Sequence, residues 1–549
     1  MTIKIHGGKI LANALVRQGV EYAFGVPGES FLALLDGLYE HESSLRFITC
    51  RQEGGASYMA EAYAKLTGKA GVLMVTRGPG ASNAMVGVHT AYQDSTPMVV
   101  LVGQVGTDMA EREAFQEVNL HKMFSECAKW IGSIDRVDRV DEYISRAFHI
   151  AQAGRKGPVV LALPEDILFE LGIEKPTLSA HIVQPGLNPL VFAQAMTAFD
   201  EATHPMVIVG GSSWDAQTCK HLQTWAELKN IPVVTSFRYQ DLIDNQSPAY
   251  AGLLGLGSNP KLIERLKKAD VVMVIGDRLG EVTSLAYTLF DVPHPKQTLI
   301  HVHPGAEEIG MVYRPTYAIN CAPKLFVEAL ARHTKNLPVD VGHYQQARQD
   351  QVEYMQPVPI VGDMQLAEVF AQLPQYIPKD AILTNGAGNF TTWLHRFYPY
   401  GGFRTQLAPA NGSMGYGLPA AIAAKLTHPN RVVIGVAGDG DFMMNCQELA
   451  TAMKYDVKPI ILILNNSMYG TIRMHQEREF KSRVSGTYLT NPDFVMLANS
   501  FGIPGYRTTT TQEFFQALQD AIKKDAGAVI ELVTEQEAIT PNKKLSELS

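Results

Sequence analysis

Short apolar runs rich in valine and isoleucine recur along the chain, each bounded by Gly, Pro, Asp or Asn. They stand at 71–75 (GVLMV), 97–103 (PMVVLVG), 158–164 (PVVLALP), 205–211 (PMVIVGG) and 270–277 (DVVMVIGD), and again at 299–303, 431–440, 459–466 and 528–534. Most are continuously apolar, so they read as strands buried on both faces, the pattern of parallel sheets. Helical patterns such as GASYMAEAYAKLTG and NCQELATAMKYD lie between them. Strand and helix in alternation imply an α/β class of doubly wound parallel sheets. Two proline-bearing stretches without a long apolar period, 171–190 and 336–360, are expected as linkers. They divide the chain into three α/β units, 1–170, 190–335 and 360–540.

A length of 549 residues fits three domains of ordinary size. With 46% hydrophobic and 19% charged residues, the chain has the composition of a globular protein. A net charge of −8 and the lack of a Lys/Arg-rich run argue against nucleic-acid and membrane partners, leaving small molecules. The N-terminus MTIKIHGGKILANALVRQGV scatters its charges and shows no secretory pattern, and no apolar run reaches the roughly 20 residues of a membrane span. A cytoplasmic protein is expected. Its five cysteines contain no C-x-x-C pair, so buried free thiols are expected in place of disulfides or a zinc site.

The most informative stretch is GDGDFMMNCQELATAMKYDVKPIILILNN, 438–466, which runs from the end of one expected strand through a helix to the tip of the next. In an open parallel sheet, ligands bind beyond the carboxyl ends of the strands, so Asp439 and Asn466 arrive at one edge. A carboxylate and an amide oxygen are hard donors suited to Mg²⁺, and the glycines allow a phosphate to approach the backbone. GDG alone is also common turn chemistry. Together with NN at this distance, it resembles the signature of the thiamine diphosphate enzymes. The resemblance implies Mg²⁺ held by Asp439, Asn466 and the Met468 carbonyl, with Gly440, Asp441, Tyr469 and Gly470 against the cofactor.

The segment RQEGGASYMAEAYAKLTGKAGVLMVTRGPGASN is similar to the cofactor-facing part of the same family. By position alone, Glu53 would be a solvated carboxylate favoured at a helix start. The resemblance implies instead that it hydrogen-bonds N1′ of the aminopyrimidine ring, with Thr76, Pro79 and Asn83 around the cofactor. In NGSMGYGLPAA, 411–421, Met414 could be core filler, but the family pattern implies that it wedges the cofactor into a bent shape while Gly412 and Met414 backbone groups bond the pyrimidine. TNGAGNFTTW, 384–393, occupies the place of a diphosphate-gripping loop, with Ala387, Gly388, Asn389 and Phe390 as candidates. The family places the glutamate and the metal motif of one site on different subunits, which implies a homodimer or homotetramer with active sites at the subunit interface.

Within the family, the chain resembles the acetolactate synthase large-subunit branch over nearly its whole length, in FGVPGES (24–30), TPMVVLVGQV (96–105), EAFQEVNLHKMFSECAKW (113–130), GPVVLALPEDI (157–167) and IHVHPGAEEIG (300–310). That branch implies decarboxylation of a pyruvate-like 2-oxo acid followed by ligation to a second carbonyl compound, with Phe115 and Gln116 lining the reaction chamber. Several positions depart from it. Asn389-Phe390 replaces the usual Gln-His, His475 and Thr471 replace a tryptophan and a methionine, and Glu29-Ser30 replaces small apolar residues. Glu29, Thr471 and His475 are therefore candidate substrate contacts. The middle unit shows no arginine-rich flavin turn, only GLLGLGSNPKL and GDRLGEVTS, so bound FAD is not expected, although relatives carry it. Two alternatives stand beside this expectation: a non-oxidative 2-oxo acid decarboxylase or lyase, and a catalytically silent cofactor-binding protein. The latter predicts loss of Glu53 or a metal ligand, and both are present. No G-x-G-x-x-G opens a helix after a strand, which argues against a dinucleotide oxidoreductase.

Overall fold

The computed structural model describes residues 3–335 and 339–548. Three six-stranded sheets carry the fold, and every strand pair within them is parallel. The first contains β1 (Tyr22–Gly25), β2 (Arg46–Thr49), β3 (Gly71–Thr76), β4 (Met98–Gln104), β5 (Trp130–Ser133) and β6 (Pro158–Pro164), in the order β2-β1-β3-β4-β6-β5. The second contains β7 (Met206–Val209), β8 (Val233–Thr235), β9 (Tyr250–Leu253), β10 (Val271–Ile275), β11 (Thr298–His303) and β12 (Tyr317–Asn320), in the order β9-β8-β7-β10-β11-β12. The third contains β13 (Ile382–Asn385), β14 (Gln406–Leu407), β15 (Val433–Gly438), β16 (Ile460–Asn465), β17 (Gly505–Thr508) and β18 (Ala528–Val533), in the order β14-β13-β15-β16-β18-β17.

The first and third sheets thus share one strand order, with the reversal between the first and third strands of each. A crevice opens at such a reversal because the flanking loops leave in opposite directions. The reversals fall at Gly25 and Thr76 in the first sheet and at Asn385 and Gly438 in the third.

Helices cover both faces, which is why the strands read as unbroken apolar runs. In the second sheet, Val207 and Val209 enter one buried cluster, whereas Met206 and Ile208 enter another on the opposite face. The chain forms two compact units. One holds the first sheet together with 409–429 and 442–458, and the other holds the second and third sheets. Helices used below are α1 (Glu53–Thr67), α2 (Gly78–Gln93), α3 (Val341–Tyr354), α4 (Phe390–Phe397), α5 (Gly417–Thr427), α6 (Asp439–Met443), α7 (Leu449–Lys454) and α8 (Gly470–Glu479).

One expectation is corrected. The stretch 336–360 is not a linker throughout, because α3 occupies most of it; its residues 336–338 lie outside the described residues. The buried positions of α3, His343, Tyr344, Ala347, Asp350 and Gln351, follow helical spacing, but four of the five are polar or aromatic, so no apolar period marks them. Asp340 caps the helix by accepting from Gly342 N at 2.9 Å, and Arg265 satisfies the buried Asp350 at 2.6 Å. Between 173 and 188 the chain runs without regular structure.

Candidate cofactor and active site

In the unit of the first sheet, Glu53 opens α1 just beyond the carboxyl end of β2. Gln52 caps the helix, its side-chain oxygen accepting from Gly54 N and Gly55 N. Glu448, fully buried, accepts from Arg51 N at 3.2 Å and Gln52 N at 3.0 Å, and Thr451 Oγ donates to its second oxygen at 2.6 Å. Burial pushes the Glu448 carboxyl upward, and the Thr451 hydroxyl opposes that most strongly. The carboxylate fits there because position 55 is glycine. A Cβ on Gly55 would sit 2.7 Å from Glu448 Oε1 and 2.8 Å from Cγ.

Asn83, on α2, donates to Glu53 Oε2 at 2.9 Å. A Cβ on Gly80, one turn earlier, would lie 3.1 Å from Thr76 Cγ2 and 3.4 Å from Glu53 Oε1, so Thr76, Gly80, Asn83 and Glu53 share one small space. Pro79, beside them in the first turn of α2, is exposed. The segment bearing Phe115 and Gln116 closes over this turn, Gly78 N donating to the Gln116 carbonyl at 2.9 Å. Arg77 braces the same segment, bonding Glu165 at 2.7 Å and reaching the Phe115 carbonyl at 3.4 Å. Phe115 is 74% exposed. Glu29 is exposed at the end of β1, next to Ser30, whose hydroxyl pairs with that of Thr76 at 2.7 Å.

The 409–416 loop belongs to this unit, anchored by a buried polar network. Asp94 accepts from Ala410 N at 2.8 Å and Asn411 N at 3.1 Å. Lys65 neutralises Asp94 and Glu61, and Tyr416 donates to Glu61 at 2.6 Å. Tyr58 donates to the Met414 carbonyl at 2.9 Å, while Gly412 takes φ of 73°, which favours glycine. The backbone of Gly412 and Met414 is thereby fixed.

In the other unit, Asp439 follows β15 and Asn466 follows β16, and these strands pair with Gly438 opposite Leu464. Asn491 joins the two ends, its amide donating to Asp439 Oδ2 at 2.7 Å and to Asn465 Oδ1 at 3.0 Å. Ser467 at φ 55° turns the chain, Asn466 Oδ1 accepts from Met468 N at 3.2 Å, and Tyr469 N donates to the Thr487 carbonyl at 2.8 Å. Asp439 is 2% exposed, and burial raises its pKa against the opposing pull of Asn491. Among the ion pairs of the described residues, none neutralises it.

Two glycines keep the neighbouring surface bare. A Cβ on Gly440 would collide with the Tyr469 ring and lie 3.0 Å from Leu489 Cδ1; one on Gly386 would lie 2.5 Å from Asp441 Cγ. Ala387 N donates to Asp441 Oδ1 at 3.3 Å, and Gly388 precedes Phe390, whose ring covers Gly438. A Cβ on Gly470 would lie 3.3 Å from Asn466 Nδ2. A buried carboxylate without a cation, two oxygen donors on adjacent strand ends and this bare glycine surface fit a hard divalent cation beside a diphosphate.

Asn389 is engaged elsewhere. It donates to the Ile539 carbonyl at 3.0 Å and accepts from Thr471 Oγ1 at 2.9 Å, so the Thr471 hydroxyl braces the loop to α8. His475, one turn along α8, is exposed and outside this bonding. Sequence reasoning missed Gly386, Glu448 and Asn491. The first two lie inside the quoted stretches 384–393 and 438–466, whereas Asn491 lies 25 residues beyond Asn466 in a stretch without a motif.

At the reversal of the second sheet, Gly211 packs on the Gly276 carbonyl. Asp277, its pKa raised by burial, accepts from Leu279 N at 2.7 Å, and Arg278 pairs with the buried Glu308 at 2.8 Å.

The chain matches the N-terminal TPP binding domain of thiamine pyrophosphate enzymes over residues 5–123, the central domain over 192–330 and the C-terminal TPP binding domain over 386–532. It is 31% identical to the probable acetolactate synthase large subunit of Methanocaldococcus jannaschii, over 97% of this chain and 93% of that one. It is 29% identical to the acetolactate synthase isozyme 2 large subunit of Escherichia coli, over 98% and 97%. It is 28% identical to the mitochondrial acetolactate synthase catalytic subunit of Aspergillus candidus, over 96% and 80%.

Proposed function

This chain belongs to the thiamine pyrophosphate enzyme family, and we propose that within it the chain works as an acetolactate synthase-like transferase. It decarboxylates a pyruvate-like 2-oxo acid and passes the remaining acyl unit to a second carbonyl compound. Bound thiamine diphosphate supplies the electron sink that makes loss of CO₂ possible. Glu53, oriented by Asn83, hydrogen-bonds the aminopyrimidine ring and moves a proton there. Thr76, Pro79 and Asn83 line that end, the backbone of Gly412 and Met414 holds the ring, and the Met414 side chain enforces its bent pose. Asp439, Asn466 and the Met468 carbonyl hold Mg²⁺, while Ala387, Gly388, Phe390, Gly440, Asp441, Tyr469 and Gly470 enclose the diphosphate. Phe115 and Gln116 shield the reacting carbonyl from water. Glu29 and His475 meet the acceptor, and Thr471 shapes its approach through Asn389.

In this reading, Glu53 of one copy and Asp439 of another share a cofactor, in a homodimer or homotetramer. The exposed side chains of Val86 and Met444 support an interface, since exposed apolar residues mark association surfaces. We read the protein as acting without FAD, because Asp277 and Arg278 are both satisfied within their own sheet's loops. Among the described residues, no helix is long and apolar enough to cross a membrane. The five free cysteines favour a cytoplasmic setting, where thiols stay reduced. The expected domains are 1–170 for the pyrimidine, 190–335 as a central unit and 360–540 for the diphosphate and metal.

The observation that carries this reading is the Asn491 amide joining Asp439 to Asn465, which preforms the metal-binding strand ends. Isothermal titration with thiamine diphosphate tests it. Binding is expected only with Mg²⁺ present, to be lost in Asp439→Asn and kept in Glu53→Gln, which nevertheless releases no CO₂ from pyruvate. Binding by Asp439→Asn equal to wild type would overturn the metal assignment.

A further inference from the structure

We propose that Glu448 is a positioning residue for Glu53. The inference rests on the reading of Glu53 given above. Glu53 is the first residue of α1, and the amides on either side of it have fixed acceptors: those of Gly54 and Gly55 bond the Gln52 side chain, and that of Ala56 bonds the Gln52 carbonyl at 3.0 Å. The amides that precede it, Arg51 N and Gln52 N, bond only to Glu448 among the described residues. The glutamate therefore sets the entry of the chain into the helix, and with it the direction in which the Glu53 side chain leaves.

Three features show that the contact is built for this. Glu448 is fully buried, so its charge is stabilised chiefly by these amides and by Thr451, itself buried and bonded at 2.6 Å. Gly55 leaves the cleft that the carboxylate fills, since a Cβ there would be 2.7 Å from Oε1 and 2.9 Å from Cδ. A second tie joins the same segment to the strand before the turn: Tyr455, seven residues beyond Glu448, accepts from Thr49 N at 2.7 Å. Misplacing a reacting group by about 1 Å costs on the order of 100-fold in rate while leaving binding contacts largely in place.

The test compares Glu448→Ala, Glu448→Gln and Gly55→Ala with wild type and Glu53→Gln, each as the full-length protein. Four quantities are read: amide hydrogen exchange of the segment 49–58 without cofactor, thiamine diphosphate affinity, exchange of the C2 proton of bound cofactor, and the division of any loss between kcat and KM for pyruvate. Glu448→Ala is expected to lose protection at Arg51 and Gln52. It is also expected to slow C2 exchange and kcat by about 100-fold, with KM and cofactor affinity within about 3-fold of wild type. Glu448→Gln, which keeps an acceptor oxygen, is expected to recover most of that loss, and Gly55→Ala to reproduce the alanine defect by expelling the carboxylate. Wild-type kcat in Glu448→Ala overturns the proposal, as does a parallel loss of fold, cofactor affinity and kcat that glutamine does not restore. If the alanine variant fails to fold, wild-type C2 exchange in both Glu448→Gln and Gly55→Ala overturns it. Undiminished C2 exchange in Glu53→Gln would instead remove the underlying role of Glu53, whatever Glu448 does.

Discussion

With a single methyl group, Gly386→Ala probes the loop that we propose grips the diphosphate. The backbone at Gly386 has ordinary φ, so alanine brings no torsional strain, and the whole effect is steric. Its Cβ would lie 2.5 Å from Asp441 Cγ, with both carboxylate oxygens nearer still. Carbon atoms in contact sit about 3.5–4.0 Å apart, so loop and carboxylate must separate by roughly 1 Å. That movement breaks the 3.3 Å bond from Ala387 N to Asp441 and shifts the amides proposed to face the diphosphate. Overpacking of this kind costs about 1–3 kcal/mol, which corresponds to roughly 5- to 150-fold in cofactor affinity if the site absorbs the strain. Titration calorimetry of thiamine diphosphate in excess Mg²⁺ measures this directly. Gly280→Ala serves as control, because nothing lies within 4 Å of its Cβ. Affinity within 2-fold of wild type for Gly386→Ala would show that this loop does not grip the cofactor.

Other outcomes follow from the same geometry. Asn491→Ala removes the amide that steadies Asp439 and is expected to weaken Mg²⁺ binding about 10- to 100-fold, as read by metal titration of cofactor-saturated protein. Tyr416→Phe removes the donor to buried Glu61 and is expected to cost about 1–3 kcal/mol in denaturant unfolding, with catalytic pH dependence unchanged. Burial holds the Asp241 carboxyl up at about 6, against the opposing amides of Gln406, Arg404 and Thr405. Protonation thus favours the folded state: this stability is present at pH 4 and lost as the pH rises through 6. Unfolding of Asp241→Asn, followed against pH, is therefore expected to gain about 2–3 kcal/mol on wild type between pH 4 and 7.5. Ellman's reagent is expected to reach at most Cys446 in the native chain and all five thiols after denaturation, because the other four are buried.

The strands read from the sequence all have neighbours on both sides, among them β3, β4, β15 and β16, whose residues are mostly buried and apolar; the shorter interior strands β1, β8 and β13 were not read. Edge strands escaped. β2 reads RFIT and β17 GYRT, with exposed arginines where no neighbouring strand demands an apolar face. β14 contributes only two residues, too few for any period. α3 escaped for a different reason: its inward stripe is His, Tyr, Ala, Asp and Gln, buried through ion pairs and hydrogen bonds. At the site, Asp439 and Asn466 were legible because the spacing of one crossover carries both to the same edge. Glu53 was singled out through its resemblance alone, since nothing local distinguishes it from a capping carboxylate. Asn491 bonds Asp439, and Glu448 bonds the amide of Gln52 next to Glu53, across sequence distances of 52 and 396 positions, and only the fold brings them close.

The central claim, that this chain ligates the acyl unit left by decarboxylation, is tested most directly by incubating the pure protein with thiamine diphosphate, Mg²⁺ and pyruvate, without FAD, and identifying products by NMR. Acetolactate formed by wild type and absent with Glu53→Gln is the expected result. Acetaldehyde as the sole product, or acetolactate formed equally well by Glu53→Gln, would contradict it.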